Sequence, residues 1–298
     1  MWHVAKGPQI RLRAIDLCCG AGGWACAARE TGISILHAYD IWPTACETYK
    51  LNHPDTQVHQ CDLTKGLPND PRPVDVVLGA IPCGWISSAR GGNKAGAAEI
   101  ARERALLDAV LEIVRKLNPR YWCLEDLVQL RRELPPLTPY RVLDAHALGY
   151  SVQARKRLFV GHFPKVSHSP VEATPTCVYL NRGPYFLTDH GRLCRVVEFS
   201  RRSKESPSRL RVGIRTGDSR LPTVLCWSNR HKNTAPVILD PAIPGGRREL
   251  EFAEAARLQG FPENYVFCGD LTSAWRQVAD AVQINLARAI CRAICEDK

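Results

Sequence analysis

Between Leu12 and Glu125 the chain repeats one pattern: an apolar run ends in a carboxylate or a glycine loop, and a helix-forming segment follows. Arg11-Leu12-Arg13-Ala14-Ile15-Asp16-Leu17 reads as a strand and runs into Gly20, Gly22 and Gly23. Trp24 to Glu30 then has helix-forming composition. Ile33 to Tyr39 reads as a second strand ending at Asp40, and a helix is expected from Pro43 to Leu51, with Pro43 accommodated in its first turn. Val74 to Gly79 is a short buried strand. Ala97 to Leu117 is a long helix with Ile100, Leu107, Val110, Leu111 and Val114 on its apolar positions. Tyr121 to Leu124 is a further strand, ending at Glu125. Such alternation predicts an α/β fold built on a doubly wound, mostly parallel sheet. Ligands of such sheets bind beyond the carboxyl ends of the strands. Asp16 with its glycines, Asp40, Cys83 and Glu125 all fall at or just past those ends.

The pattern changes after Phe163. From Pro164 to Gly246 the chain reads as loop-rich, with scattered proline and glycine and the basic clusters Arg201-Arg202-Ser203-Lys204, Arg209-Leu210-Arg211 and Arg230-His231-Lys232. Glu251 to Leu258 and Gln277 to Cys295 return to helical composition. Three parts are therefore expected: a catalytic cofactor-binding domain over 1–163, a small inserted lobe over 164–246, and a return segment over 247–298 that completes the first domain. Composition agrees with a globular chain. Among its 298 residues, 45% are hydrophobic and 23% charged, which excludes collagen, coiled coil and wholesale disorder. Lysine and arginine exceed aspartate and glutamate by 40 − 30, a formal charge of +10 that favours a polyanionic partner. No apolar run approaches the roughly 18 residues of a membrane helix, and Met1 to Lys6 lacks a signal peptide's apolar core. The thirteen cysteines are odd in number and include no C-x-x-C pair. The expectation is free thiols in a reducing, intracellular compartment (cytoplasm or nucleoid, or the nucleus of a eukaryote) and no metal site.

Several residues have the types and positions that chemistry needs. Asp16-Leu17-Cys18-Cys19-Gly20-Ala21-Gly22-Gly23 lets backbone approach a ligand closely, yet lacks the lysine of a phosphate loop. That favours a nucleoside without a phosphate tail. Asp40 is placed to accept from ribose hydroxyls, Trp42 to stack on adenine, and Asp62 to accept from an adenine amino group. Ile81-Pro82-Cys83-Gly84-Trp85 places a cysteine just beyond a strand end, where a nucleophile would stand, with the acid Glu125 at the next strand end. In Gln153-Ala154-Arg155-Lys156-Arg157, strand periodicity would send Gln153, Arg155 and Arg157 to one face.

Taken in this order, the motifs resemble the S-adenosylmethionine-dependent cytosine-C5 DNA methyltransferases. The matches extend from the Asp16–Gly23 loop to Arg257-Leu258-Gln259-Gly260-Phe261-Pro262 and to about residue 292, and Leu221-Pro222-Thr223-Val224 resembles the segment that closes the family's recognition region. The resemblance implies a Rossmann-like methyltransferase sheet with an inserted recognition lobe. It implies that Cys83 attacks C6 of a flipped-out cytosine, Glu125 protonates N3, Arg155 holds the base or a phosphate, and Arg157 supports the loop. The donor would be held by Asp16, Leu17, Cys18, Gly20, Gly22, Gly23, Asp40, Ile41, Trp42, Asp62, Leu63, Pro82, Asp280 and Val282. Gln153, Arg201, Arg202, Lys204, Arg230 and Lys232 would meet nucleic acid. The expected partner is double-stranded DNA, with tRNA as the alternative, and the expected state is monomeric.

The chain also departs from the family. Gly84 follows the nucleophile where glutamine or asparagine is usual. Asp126 replaces an asparagine, which would raise the pKa of Glu125. Cys18 stands where phenylalanine is common, and Ala279-Asp280-Ala281-Val282-Gln283 replaces a Gly-Asn-x-Val-Pro segment. These departures leave two other readings open, a C5-modifying enzyme with a different donor or product and a non-catalytic nucleic-acid-binding homologue.

Overall fold

The computed structural model describes residues 11–82, 84–86, 95–151, 153–169 and 250–297, together with the backbone of strand segments between 186 and 249. The chain divides into two compact units. The first comprises 1–141, 158–166 and 287–298, and the second 142–157 and 167–286. The stretch 247–286 thus clusters with the second unit, whereas the sequence reading joins it to the first.

The first unit contains the expected alternation. Its elements are β1 (Leu12–Leu17), α1 (Gly23–Ala28), β2 (Ile33–Asp40), α2 (Pro43–Asn52), β3 (Gln57–Gln60), β4 (Val76–Ala80), α3 (Ala97–Leu117) and β5 (Tyr121–Asp126). β6 (Tyr140–Asp144) and β8 (Lys156–Val160) complete a seven-stranded sheet of order β3-β2-β1-β4-β5-β8-β6, and β7 (Gln153–Ala154) lies between them in the chain. Neighbours from β3 to β5 are parallel, and β8 is antiparallel to β5. The mostly parallel, doubly wound sheet is therefore as expected.

Buried on both faces, the central strands are nearly all apolar, as parallel sheets require. Ile15, Leu17, Val76, Val77, Leu78 and Leu124 are each essentially inaccessible. On α3 the buried residues Leu107, Val110, Ile113 and Val114 keep helical spacing, and the helix ends with Asn118 in the left-handed region at φ 45°. Each such Leu, Ile or Val contributes about 1.5–3 kcal/mol on burial. Trp24 of α1 is buried too, and its indole N–H donates to the carbonyl of Gly79 at 2.9 Å, satisfying the polar atom of a core tryptophan. At the opposite end of β5, the hydroxyl of Tyr121 donates to Asp297 Oδ2 at 2.8 Å, and Arg120 reaches the Asp297 carbonyl at 3.1 Å. The last residues are thereby tied to the sheet.

The second unit corrects two sequence expectations. The stretch read as loop-rich contains β9 (Phe186–Leu187), β10 (Leu193–Cys194), β11 (Val197–Ser203), β12 (Ser206–Arg215), β13 (Leu221–Pro222), β14 (Val237–Leu239) and β15 (Arg247–Glu249). Four of them form an antiparallel sheet of order β12-β11-β14-β15. Val197, Phe199 and, on the partner strand, Leu210, Val212 and Ile214 alternate with polar or small residues, a period of two that the arginine and serine content obscured. The stretch Gln277 to Cys295, read as helical throughout, is also divided. α4 (Phe252–Gln259) and α5 (Leu271–Asp280) are followed by α6 (Ile284–Glu296), with a break at Ala281–Gln283. α4 begins with a reciprocal capping box between Glu251 and Glu254. Phe252, Phe261, Tyr265, Phe267 and Trp275 form a cluster of edge-to-face and tilted rings around it.

Gly161, just after β8, is a position where the sheet admits no side chain. Its φ is +143°, and a Cβ there would lie 2.0 Å from the carbonyl oxygen of Trp122 on β5. Gly161→Ala should therefore cost well over ~1 kcal/mol and lower the thermal midpoint by several degrees in calorimetry; an unchanged midpoint would contradict this packing.

Candidate active site

Strand order reverses at β1, with β2 on one side and β4 on the other, and the glycine loop leaves β1 at that point. The loop needs left-handed backbone in quick succession: φ is 51° at Cys18, 52° at Gly20 and 88° at Gly22. Glycine supplies two of these at no steric cost, and Cys18 carries the strain of the third. A carboxylate holds the loop in place. Asp40, at the end of β2, accepts from the Gly20 N–H at 2.7 Å through Oδ2 and from the Trp42 N–H at 2.8 Å through Oδ1. Trp42 in turn is the residue at which α2 begins.

Asp16 lies beneath this loop and is fully buried. Burial first, then the charge of Asp40, pushes its carboxyl well above the usual carboxylate range, against a hydrogen bond from Tyr49. That bond, from the Tyr49 hydroxyl to Oδ2, is long at 3.4 Å. Tyr49 was not anticipated; the signal was its place with Ala45 and Cys46 on the buried face of α2. Thiols crowd the same edge. Burial, then Asp40, pushes Cys18 and Cys19 well up, and Cys46 to about 12. These thiols are therefore uncharged and unreactive at neutral pH.

The remaining expected donor residues divide by environment. Leu17 and Leu63 are core side chains, so only their backbone faces the ligand edge. Ile41 is 65% exposed and Pro82 is exposed. Asp62 caps the short turn Leu63–Lys65, accepting from Thr64 N at 3.0 Å and from its hydroxyl at 2.7 Å. Val282 is buried, whereas Asp280 faces solvent and meets Arg276 at 3.3 Å.

Cys83 lies outside the described residues, but its approach is defined. Ala80 pairs with Glu125 across β4 and β5, and the Ile81 N–H donates to the Glu125 carbonyl at 3.0 Å. The segment Ile81-Pro82 thus leaves the sheet directly beside Glu125, whose side chain is buried. Asp126 is buried as well and accepts from the Leu127 N–H. As the next residue of a strand, it leaves the opposite face from Glu125. Just after Cys83, a Cβ at Gly84 would come 3.2 Å from Glu103 Oε1, the flexible end of a side chain on α3.

Within the second unit, the motif Gln153–Arg157 is not one strand. The Arg155 N–H folds back onto the Gln153 carbonyl at 2.8 Å, a tight turn that separates β7 from β8. Gln153 and Arg155 are both buried, while Arg157 is half-buried and donates to the Lys156 carbonyl at 3.0 Å. Strand periodicity therefore does not run through the motif, and burial groups Gln153 with Arg155 apart from Arg157. Arg155 donates to the carbonyls of Ala279 and Ala281 at 3.0 and 2.7 Å. Gln153 donates to the Leu258 carbonyl at 2.7 Å and to Gln259 Oε1 at 3.2 Å, and Gln259 reaches the Ala281 carbonyl at 2.5 Å. β7 also pairs with β13, Leu221 opposite Gln153. Arg201 and Arg202 sit on β11 with Arg201 in register with Arg211; Lys204, Arg230 and Lys232 lie outside the described residues.

Comparison with known families decides the assignment. The family model for C-5 cytosine-specific DNA methylases matches residues 12–153 and 166–296, nearly the whole chain. The chain belongs to this family. This DNA cytosine-C5 methyltransferase is similar to the type II methyltransferase M1.HphI of Haemophilus parahaemolyticus, at 28% identity over 96% of this chain and 87% of that one. It is also similar to M.NgoMIV of Neisseria gonorrhoeae, at 24% identity over 96% and 97%. Among solved structures, the S. pombe Dnmt2 methyltransferase shares the fold with a TM-score of 0.67 at 16% identity, covering 96% of this chain and 98% of that one. A putative DNA modification methyltransferase of an E. coli prophage does so with a TM-score of 0.61 at 18% identity over 95% and 98%.

In this C5 methyltransferase the buried arginine-glutamine network answers an accounting demand. Carbonyls at the break between α5 and α6 have no helical partners, and Arg155 and Gln259 supply them. Arg155→Met leaves those carbonyls short of donors, at about 1–3 kcal/mol. The expected outcome is a lower thermal midpoint and faster amide exchange at 279–283; unchanged exchange there would contradict the network's role.

Proposed function

We propose that this methyltransferase acts as a monomer on cytosine in double-stranded DNA, with S-adenosylmethionine as donor and Cys83 as transient nucleophile. The register that sets the segment before Cys83 beside the buried Glu125 carries this reading. A nucleophile and an acid at adjacent ends of parallel strands can address neighbouring atoms of one ring.

The residues present fit the proposed donor. Asp16 Oδ1 is buried and accepts no hydrogen bond. A Cβ at Gly20 would meet nothing within 4 Å, so the loop has open space on one side. Asp40, Ile41, Trp42 and Asp62 stand at the carboxyl ends of β2 and β3, where a nucleoside would lie. When bound, S-adenosylmethionine supplies an electrophilic methyl carbon.

The chain's own residues perform the rest. C5 and C6 of a stacked cytosine are out of reach, so the base is flipped into the site. Cys83 attacks C6 as its thiolate, forming a carbon–sulfur bond, and Glu125 delivers a proton to N3. The ring electrons then accumulate at C5, which takes the methyl group. The C5 proton is then lost to solvent, its bonding electrons re-form the C5–C6 double bond and expel Cys83 as thiolate, and N3 returns its proton to Glu125, which restores the aromatic ring. A thiol suits the step because it both attacks and leaves readily. Arg155 holds the base or a nearby phosphate, and Arg157 supports the loop. The segment 164–246, with Gln153, Arg201, Arg202, Lys204, Arg230 and Lys232, meets the phosphates, which position the duplex without specifying sequence. Such a protein works where the DNA is, in the cytoplasm or nucleoid; no helix among the described residues is long and apolar enough to cross a membrane.

Duplex DNA carrying 5-fluorocytosine tests this chemistry, because the fluorine at C5 cannot leave as a proton does and the adduct persists. A covalent complex dependent on S-adenosylmethionine is expected, and Cys83→Ser should abolish it. A complex that survives the substitution, or that forms on tRNA and not on DNA, would overturn the reading. Glu125→Gln should slow turnover by about 10²–10⁴-fold in a single-turnover assay with labelled donor.

A further inference from the structure

Asp16 and Asp40 form a pair of carboxylates in unlike surroundings at one strand edge. Asp40 is part-exposed and receives two backbone N–H groups, from Gly20 and Trp42. It is equipped to carry a negative charge. Asp16 is fully buried and, among the described residues, its Oδ1 accepts no hydrogen bond and its Oδ2 receives only the long 3.4 Å contact from the Tyr49 hydroxyl. An ionised carboxylate so placed is strongly disfavoured unless a cation compensates it.

Among the described residues, the groups that act on Asp16 include no cation. From β2 comes Asp40, from α2 the phenol of Tyr49, from the glycine loop the thiols of Cys18 and Cys19, and from α6 the thiol of Cys291. All are acids. Two carboxyl groups whose surroundings differ this much take up charge in turn rather than together.

We propose that the empty donor site holds one negative charge on the Asp16/Asp40 pair, with the proton on Asp16, and that binding of the cationic donor expels that proton. This rests on the donor reading above. The balance is simple: the neutral carboxyl and a cationic ligand become a carboxylate, the bound cation and one proton released to solvent. Asp16 is closed off from solvent, so it serves as a counter-charge beneath the loop. It is a positioning residue, and no reacting atom touches it.

The sign of the pH dependence follows. Below the raised pKa of Asp16 in the empty protein, binding must remove a proton, so affinity increases as pH rises. The dissociation constant should fall by roughly tenfold per pH unit and level off above that pKa. Asparagine mimics the neutral carboxyl, so the deficit of Asp16→Asn should be small near pH 6 and widen toward pH 8.

Isothermal titration calorimetry with S-adenosylmethionine and with S-adenosylhomocysteine tests this between pH 5.5 and 8.5, in buffers of different ionisation enthalpy. The wild-type protein is expected to release about one proton per ligand over part of that range, and Asp16→Asn to release none. Release with both ligands identifies the ammonium group as the responsible cation; release with the methylated donor alone identifies the sulfonium. Binding without proton release at any pH, or release that survives Asp16→Asn, would overturn the proposal. If Asp16→Asn fails to fold, the wild-type proton count still decides. Absence of binding by either ligand would instead count against the donor reading itself.

Discussion

Parallel pairing of β1 with β2 on one side and β4 on the other is the constraint on which the first unit depends. Successive strands depart from β1 in opposite directions, so the loops that follow diverge and leave an open edge. Everything chemical in that unit lies along it. The glycine loop follows β1, Asp40 ends β2, and the segment leading to Cys83 leaves β4 beside Glu125 on β5. A slip in the register of β4 against β5 would separate the last two, because the side chains of a strand alternate between faces.

Charge is handled differently in the two units. At the donor edge, carboxylates and neutral thiols gather around backbone N–H groups, and Asp40 holds the loop through two of them. Among the described residues that edge is short of positive charge, which the proposed cationic donor would supply. In the second unit, buried Arg155 and Gln259 spend their donors on the carbonyls of the α5–α6 break, while Gln153 secures Gln259. A buried network of this kind fixes one arrangement, since each lost partner leaves a costly polar atom behind. Arg155 thus has a structural role that stands beside the contact with the base proposed for it.

How much of this was legible in the sequence depended on where the decisive interactions lay. Strands β1 to β5 and helix α3 were visible because parallel strands buried on both faces are continuous apolar runs, and α3 carries its burial at helical spacing. The hairpin of β11 and β12 was hidden, because arginines occupy alternate positions and read as solvated loop. The turn at Ala154 and the break at Ala281–Gln283 were hidden for a different reason. Neither contains proline or glycine. At Ala154 the turn is closed by the Arg155 N–H on the Gln153 carbonyl. At Ala281–Gln283 the helix breaks where the distant side chains of Arg155 and Gln259 take the carbonyls, and Gln283 caps α6 by accepting from the Leu286 N–H at 2.8 Å. Asp16, Asp40 and Glu125 could be placed at strand ends from sequence. Asp16's burial without a cation could not, since it arises from Tyr49 and Cys291 arriving from two separate helices.

The central claim is methylation of cytosine at C5 in DNA. Incubation of duplex DNA with the purified protein and isotopically labelled S-adenosylmethionine, followed by nucleoside mass spectrometry, addresses it most directly. The account predicts labelled 5-methylcytosine in the DNA and no labelled nucleoside in tRNA treated in parallel. Label at another position of the base, in tRNA alone, or nowhere despite folded protein that binds the donor, would contradict it.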